Sequence, residues 1–148
     1  MTPQEQIQTN AGVWRMANTE EIYRHIVAEE RYDEAFVLRN PAPSLGEYLA
    51  GQLQARGITK AALIRALCVE RVYGYQLLNG TRRMSRTHLI RTALFLRMDI
   101  EETERLLRLG GEARLYARDR TDARVIFAIE KKLPFRQAWL FIWPEELD

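Results

Sequence analysis

Residues 59 to 85, TKAALIRALCVERVYGYQLLNGTRRMS, decide how the rest of the chain is read. Thr59 has the hydroxyl of an N-cap, which accepts from backbone N–H groups left open in a first helical turn. A short helix is expected from there through Ala66, and a second from about Glu70 to Leu78. Asn79 and Gly80 end the second helix, because both residue types reach the positive φ of a helix C-terminus at low cost. Cys68 and Val69 form the turn between the two helices. Leu63 supplies an apolar anchor in the first helix, and Val69 points into the core. Gly74 and Leu77 lie on the inner face of the second helix. Arg71, Val72, Tyr75 and Gln76 are left facing outward. Arg82 and Arg83 make the following loop basic, and Ser85 caps a third helix.

Working outward, the pattern stays helical. No alternating apolar–polar run occurs, so the class is all-α. Residues 1 to 18 show no periodicity; Trp14 and Met16 are the only large apolar groups after Val13, which suits a loose arm or one folded onto a partner. Thr19, followed by Glu20 and Glu21, starts a helix with Tyr23, Ile22, Ile26 and Val27 as its stripe, running to Glu30 or through Phe36. Asn40, Pro41 and Pro43 stop it and mark a boundary. Ser44 and Glu47 have capping-box spacing ahead of Leu45, Tyr48, Leu49 and Leu53, and Gly57 closes that helix. After Ser85 the buried side carries Leu89, Ile90, Ala93, Leu94 and Leu96. Asp99 caps a helix bearing Ile100, Leu106, Leu107 and Leu109, ended by Gly110 and Gly111. Residues 112 to 120 read as an irregular connection. Thr121 or Asp122 opens a helix to about Lys132, with Val125, Ile126, Phe127 and Ile129 as its apolar set. Pro134 starts a last helix from Phe135 to Ile142, and the tail WPEELD reads as frayed. The expected organisation is an N-terminal arm and helix at 1–43, a central domain at 44–111 and a C-terminal α-hairpin at 112–148. Helix, break, helix at 89 to 107 recurs faintly about 35 residues later, which fits either a duplicated α-hairpin or coincidence between two hairpins.

At 148 residues the chain can bury a sizeable core without staples. Its one cysteine excludes an internal disulfide and fits a reducing cytoplasm. No run approaches the ~18 apolar residues of a membrane span. Net charge is +2, but it is unevenly spread. The segments up to Glu47, between Glu47 and Asp99, and from Asp99 onward carry −4, +8 and −2. The middle segment has nine basic residues and one acid, Glu70. Such a cationic unit between acidic flanks is either a solvated helical surface or the footprint of a polyanion partner.

The central stretch resembles the lambda-repressor-like, or XRE-type, helix-turn-helix DNA-binding family. The resemblance is carried by Leu63, Val69, Arg71, Tyr73, Leu77, Asn79, Gly80, Arg82 and Ser85 in that order and spacing. It extends to a five-helix layout from Ser44 to Gly110, just under half the chain. It implies that Arg71, Val72 and Gln76 face base edges in the major groove. Arginine suits guanine, glutamine suits adenine, and valine meets a thymine methyl. It implies further that Lys60, Tyr73, Arg82 and Arg83 lie against the sugar-phosphate backbone, which positions a protein without reading sequence. The chain departs from the family at Ile64, Cys68, Glu70 and Gly74, which together point to a retuned packing between the two short helices.

The expected function is sequence-specific duplex DNA binding by a transcriptional regulator, cytoplasmic and acting as a homodimer on a palindromic site. The alternative is a protein-interaction adaptor or antitoxin-like module on the same fold; an RNA-binding role is a third. No phosphate-cradling glycine loop, nucleophile–base pairing or HExxH-type motif is present, so neither catalysis nor a cofactor is expected. His25 and His88 lack metal-ligand spacing. Cys68 is expected as a small core residue. Phe135, Trp139, Phe141, Ile142 and Trp143 either pack on the preceding helix or form an oligomerisation or partner surface.

Overall fold

Side-chain caps begin nearly every helix of the computed structural model, which describes residues 7–8, 14–15 and 17–146. The class is all-α. Nine helices occur among the described residues, together with a two-residue antiparallel ladder between Ile7–Gln8 (β1) and Trp14–Arg15 (β2). Val13 and Met16 of the arm, and Leu147 and Asp148 of the tail, lie outside the described residues. The chain divides into two compact units, Met1–Pro43 and Ser44–Asp148.

In the first unit, α1 spans Thr19–Ala28 and α2 spans Glu34–Leu38. Asn18, not Thr19, caps α1: it accepts from Glu21 N–H, and Glu21 reaches back to the Asn18 N–H. The single helix allowed as far as Phe36 is two helices. Asp33 captures the Phe36 N–H at 3.0 Å and starts α2 afresh. Phe36 is buried and stacks on His25, with ring centroids 3.7 Å apart.

The second unit contains α3 (Leu45–Arg56), α4 (Lys60–Leu67), α5 (Arg71–Asn79), α6 (Arg86–Phe95), α7 (Ile100–Leu109), α8 (Arg120–Glu130) and α9 (Phe135–Ile142), followed by a 3-10 turn at Pro144–Glu146. Ser44, Thr59, Ser85 and Asp99 each accept the backbone N–H three residues on, at 2.8–3.2 Å. Gly57 and Gly80 close α3 and α5 in the left-handed region. One apolar core runs from Leu49 and Leu53 through Leu63, Leu77, Leu89 and Leu106 to Val125, Trp139 and Ile142. Leu115, Val125, Ala128, Ala138, Trp139, Ile142 and Trp143 of the C-terminal segment share this core, so α8 and α9 pack on the central helices. α8 starts at Arg120 under an Asp119 cap, slightly earlier than expected. Asp122 is buried, where it accepts from Arg86 at 2.8 Å and from Tyr116 N–H at 3.0 Å. It thereby ties the irregular segment to α6.

The C-terminus is packed through Glu146. The Arg91 guanidinium lies 3.8 Å from the Trp139 ring centroid and 4.4 Å from that of Trp143. Glu146 accepts from Arg91 at 2.6 Å and from the Trp139 indole at 2.7 Å. These two hydrogen bonds hold its carboxyl below the usual range. Trp139, Ile142 and Trp143 are accordingly interior groups. That removes Trp139 and Ile142 from any partner surface, because their apolar area is already covered by this chain. Phe135 is half-buried against Phe95 and Trp139, and Phe141 stays exposed.

The two halves of the faint repeat end their first helices alike. Leu96, Arg97 and Met98 donate to the carbonyls of Thr92, Leu94 and Ala93; Lys131, Lys132 and Leu133 donate to those of Phe127, Ile129 and Ala128. Arg97 and Lys132 both take a positive φ, at 57° and 53°. Met98 and Leu133, 35 positions apart, thus match in backbone geometry as well as in apolar type.

α4 and α5 meet through Leu63, Ile64, Leu67, Leu77 and Leu78, all buried. Gly74 is buried opposite Ile64, and a Cβ at position 74 would fall 2.5 Å from Ile64 Cγ2. Ile64 fills the space that a side chain at position 74 would need, so Ile64 and Gly74 are complementary. Cys68 stands in the left-handed region at φ 58° and is exposed, contrary to the expectation of a core residue. It serves as the C-cap of α4, where its side chain turns outward. The strain of a non-glycine residue there is about 1–2 kcal/mol. Gly74→Ala is expected to destabilise the fold by about 1–3 kcal/mol through overpacking. Ile64→Ala should cost about 2–5 kcal/mol through the void it leaves. The double variant should cost less than the sum by at least about 0.5 kcal/mol, read by urea denaturation. Strict additivity would contradict the contact.

Candidate nucleic-acid interface

The outward face of α5 carries Arg71, Val72 and Tyr73 in its first turn and Gln76 one turn on. Arg71 is exposed, Val72 is 62% exposed, Tyr73 lies at the margin and Gln76 is half-buried. Lys60 is the exposed first residue of α4, behind the Thr59 cap. Glu70 caps α5, its two carboxylate oxygens accepting from Val72 N–H and Tyr73 N–H at 2.9 Å each. These bonds stabilise the ionised form and hold its pKa below the ordinary 4.5. Two of the open donors at that helix end are therefore already used by the protein.

The loop after α5 is bound back to it. Asn79 Oδ1 accepts from Thr81 N–H at 2.9 Å, and Arg82 N–H donates to the Gln76 carbonyl at 3.1 Å. Met84 is fully buried, a role the sequence reading missed. A signal was present: Met84 precedes the Ser85 cap and Leu89 is the fourth residue of the helix, the positions of a hydrophobic staple. Arg82 and Arg83 are thus carried on a loop fixed at both ends.

The nine basic residues of the middle segment are not equivalent. Arg56 donates to Glu102 at 3.0 Å and to the Leu96 carbonyl at 2.8 Å. Arg83 pairs with Glu112 at 2.7 Å, and Arg86 with Asp122 at 2.8 Å. Arg91 pairs with Glu146. All four carboxylates come from the acidic C-terminal segment, so folding cancels much of the charge imbalance visible in the sequence. Lys60, Arg65, Arg71, Arg82 and Arg97 have no carboxylate within 4.0 Å among the described residues. Four of these five lie on α4, on α5 or in the loop after it. The Arg83–Glu112 pair is largely solvent-exposed on the arginine side, and such pairs contribute only about 0–1 kcal/mol. Arg83 can exchange its partner for another anion at little cost.

Chemically, Arg71 offers a planar fork of donors, Gln76 an amide with both donor and acceptor, and Val72 a methyl pair. No cluster of three or more His, Cys, Asp or Glu side chains able to hold a metal ion occurs among the described residues. His88 is kept below its ordinary pKa by burial and by the nearby Arg91 charge. No helix among the described residues is long and apolar enough to cross a membrane. No family model, curated protein or solved structure matches the chain.

The Glu70 cap makes a pH-dependent contribution of known sign. Its folded pKa is lowered, so the stabilisation is fully present above 4.5 and is lost as pH falls through the folded value. Glu70→Gln is expected to lower the melting temperature at neutral pH, and the gap to the wild type should close in acid, where both side chains are uncharged. Thermal melts across this range measure it. A gap independent of pH would show that the carboxylate does not act as the cap.

Proposed function

We propose that the chain binds duplex DNA sequence-specifically, as a transcriptional regulator of the lambda-repressor-like (XRE-type) helix-turn-helix kind. In this proposal α3 to α7 are the five-helix domain, α4 braces α5, and α5 enters the major groove, which is about 12 Å wide. The observation that carries it is the coincidence of two patterns. Arg71, Val72 and Gln76 lie outward on a short helix. Of the five middle-segment cations without a carboxylate partner among the described residues, four lie on that helix, on α4 or in the loop after α5. Arg71 and Gln76 would hydrogen-bond base edges, and Val72 would meet a thymine methyl. Lys60, Tyr73, Arg82 and Arg83 would hold the backbone. A homodimer on a palindromic site follows from reach, since one such helix reads only a few base pairs.

The adaptor or antitoxin-like alternative draws on a specific observation. Val72 and Tyr73 expose apolar surface beside the Glu70 carboxylate, a combination suited to a protein partner as well as to a groove. One experiment separates the two. Arg71→Ala should lose roughly 1–3 kcal/mol at one base position and relax specificity there. Arg82→Ala should weaken binding evenly across sequences and lower the log–log salt slope by about 0.9. Electrophoretic mobility shift or fluorescence anisotropy titrations over a salt series provide both numbers. Duplex binding that is flat in salt, or absent, leaves the adaptor reading.

A further inference from the structure

The second unit leaves two phenylalanine rings in solvent. Phe127 of α8 and Phe141 of α9 touch each other, with ring centroids 5.5 Å apart, and are 48% and 36% exposed. Cations surround them. Arg120, Arg124, Phe127 and Lys131 recur at the spacing that keeps residues on one side of a helix. The Arg124 guanidinium lies 5.5 Å from the Phe141 ring and donates to the Phe141 carbonyl at 2.9 Å, while Lys131 Nζ is 5.9 Å from the Phe127 ring. None of Arg120, Arg124 and Lys131 has a carboxylate in ion-pair range among the described residues. Glu130 is the one exposed acid within α8.

The first unit holds the complementary surface. No residue of α1 is buried, and its apolar stripe is open, with Tyr23 68%, Ile26 44% and Val27 66% exposed. Those three positions are the i, i+3, i+4 anchors of a helix that lies in a groove. Acids bracket the stripe, with Glu20 at one end, where it pairs with Arg24 at 3.2 Å, and Glu29 and Glu30 at the other. The lengths agree. Ten residues of α1 extend about 15 Å, and the distance from Arg120 to Lys131 along α8 is about 16 Å. A cationic patch cannot pair with its own copy across a two-fold without like-charge repulsion, and an acidic amphipathic helix removes that cost.

We infer that the Phe127–Phe141 patch is the docking site for α1 of a second copy of the chain. Two copies that exchange α1 reciprocally form a closed pair with two equivalent contacts. Tyr23, Ile26 and Val27 cover the two rings, and the terminal glutamates meet Arg120, Arg124 and Lys131. This dimer would supply the two-fold pairing of the DNA reading, yet it is tested without DNA.

Sedimentation of the full chain tests it, with far-UV circular dichroism to establish that every variant is folded. The wild type should show a reversible monomer–dimer equilibrium. Tyr23→Ser/Val27→Ser and Phe127→Ser/Phe141→Ser should each raise the dimer dissociation constant by at least about tenfold. Mixing the two variants should restore association through the one intact patch and the one intact α1. A monomeric wild type, two variants that dimerise as tightly as the wild type, or a mixture no better than its parts would each overturn the inference. DNA binding measured on the same proteins reports separately on the α5 reading.

Discussion

The seating of α5 depends on Ile64 filling the space that a side chain at position 74 would need. Hydrophobic burial alone brings α4 and α5 together, but it leaves their separation open. The 2.5 Å spacing between Ile64 Cγ2 and a hypothetical Cβ on Gly74 sets it. Gly74 costs the helix roughly 1 kcal/mol of propensity relative to alanine. Full burial of an isoleucine side chain offsets this with about 1.5–3 kcal/mol.

Electrostatics sorts most basic residues of the middle segment into two groups. Arg56, Arg86 and Arg91 each bind a carboxylate far away in the chain and also donate to backbone carbonyls or lie over indole rings. They join α3, α6 and the C-terminal turn, and their charge serves the fold. Lys60, Arg65, Arg71 and Arg82 keep theirs for solvent or for a ligand. A polyanion meeting this unit would encounter a much smaller positive charge than the middle segment suggests, but a more localised one.

Much of the helical order was legible because caps are local. Ser44, Thr59, Ser85 and Asp99 each bond three residues away, so sequence spacing is enough to find them. Local competition explains the misses. Asn18 outranked Thr19 because Glu21 completes a reciprocal box with it, and Asp119 outranked Thr121 and Asp122 because Asp122 is drawn inward by Arg86. What spacing could not reveal is long-range pairing. Arg91 and Glu146 are separated by 55 positions, and their bond turns a tail that reads as frayed into a packed turn, burying Trp143. The same cluster takes Trp139 and Ile142 into the core. Of the candidate site, periodicity puts Arg71, Val72 and Gln76 on the outward face of α5 but also Tyr75, which packs against the core instead. The pairing of Arg83 with Glu112 could not be read, since neither residue signals the other in sequence.

The central claim, that α5 reads base edges, is tested most directly by selecting bound sites from random duplex DNA with the full chain. The account predicts enrichment of a short motif that appears twice in inverted orientation, at a fixed spacing near one helical turn. It also predicts that the motif loses preference at one position in Arg71→Ala. Recovery of unselected sequence, or a motif unchanged by that substitution, would contradict it.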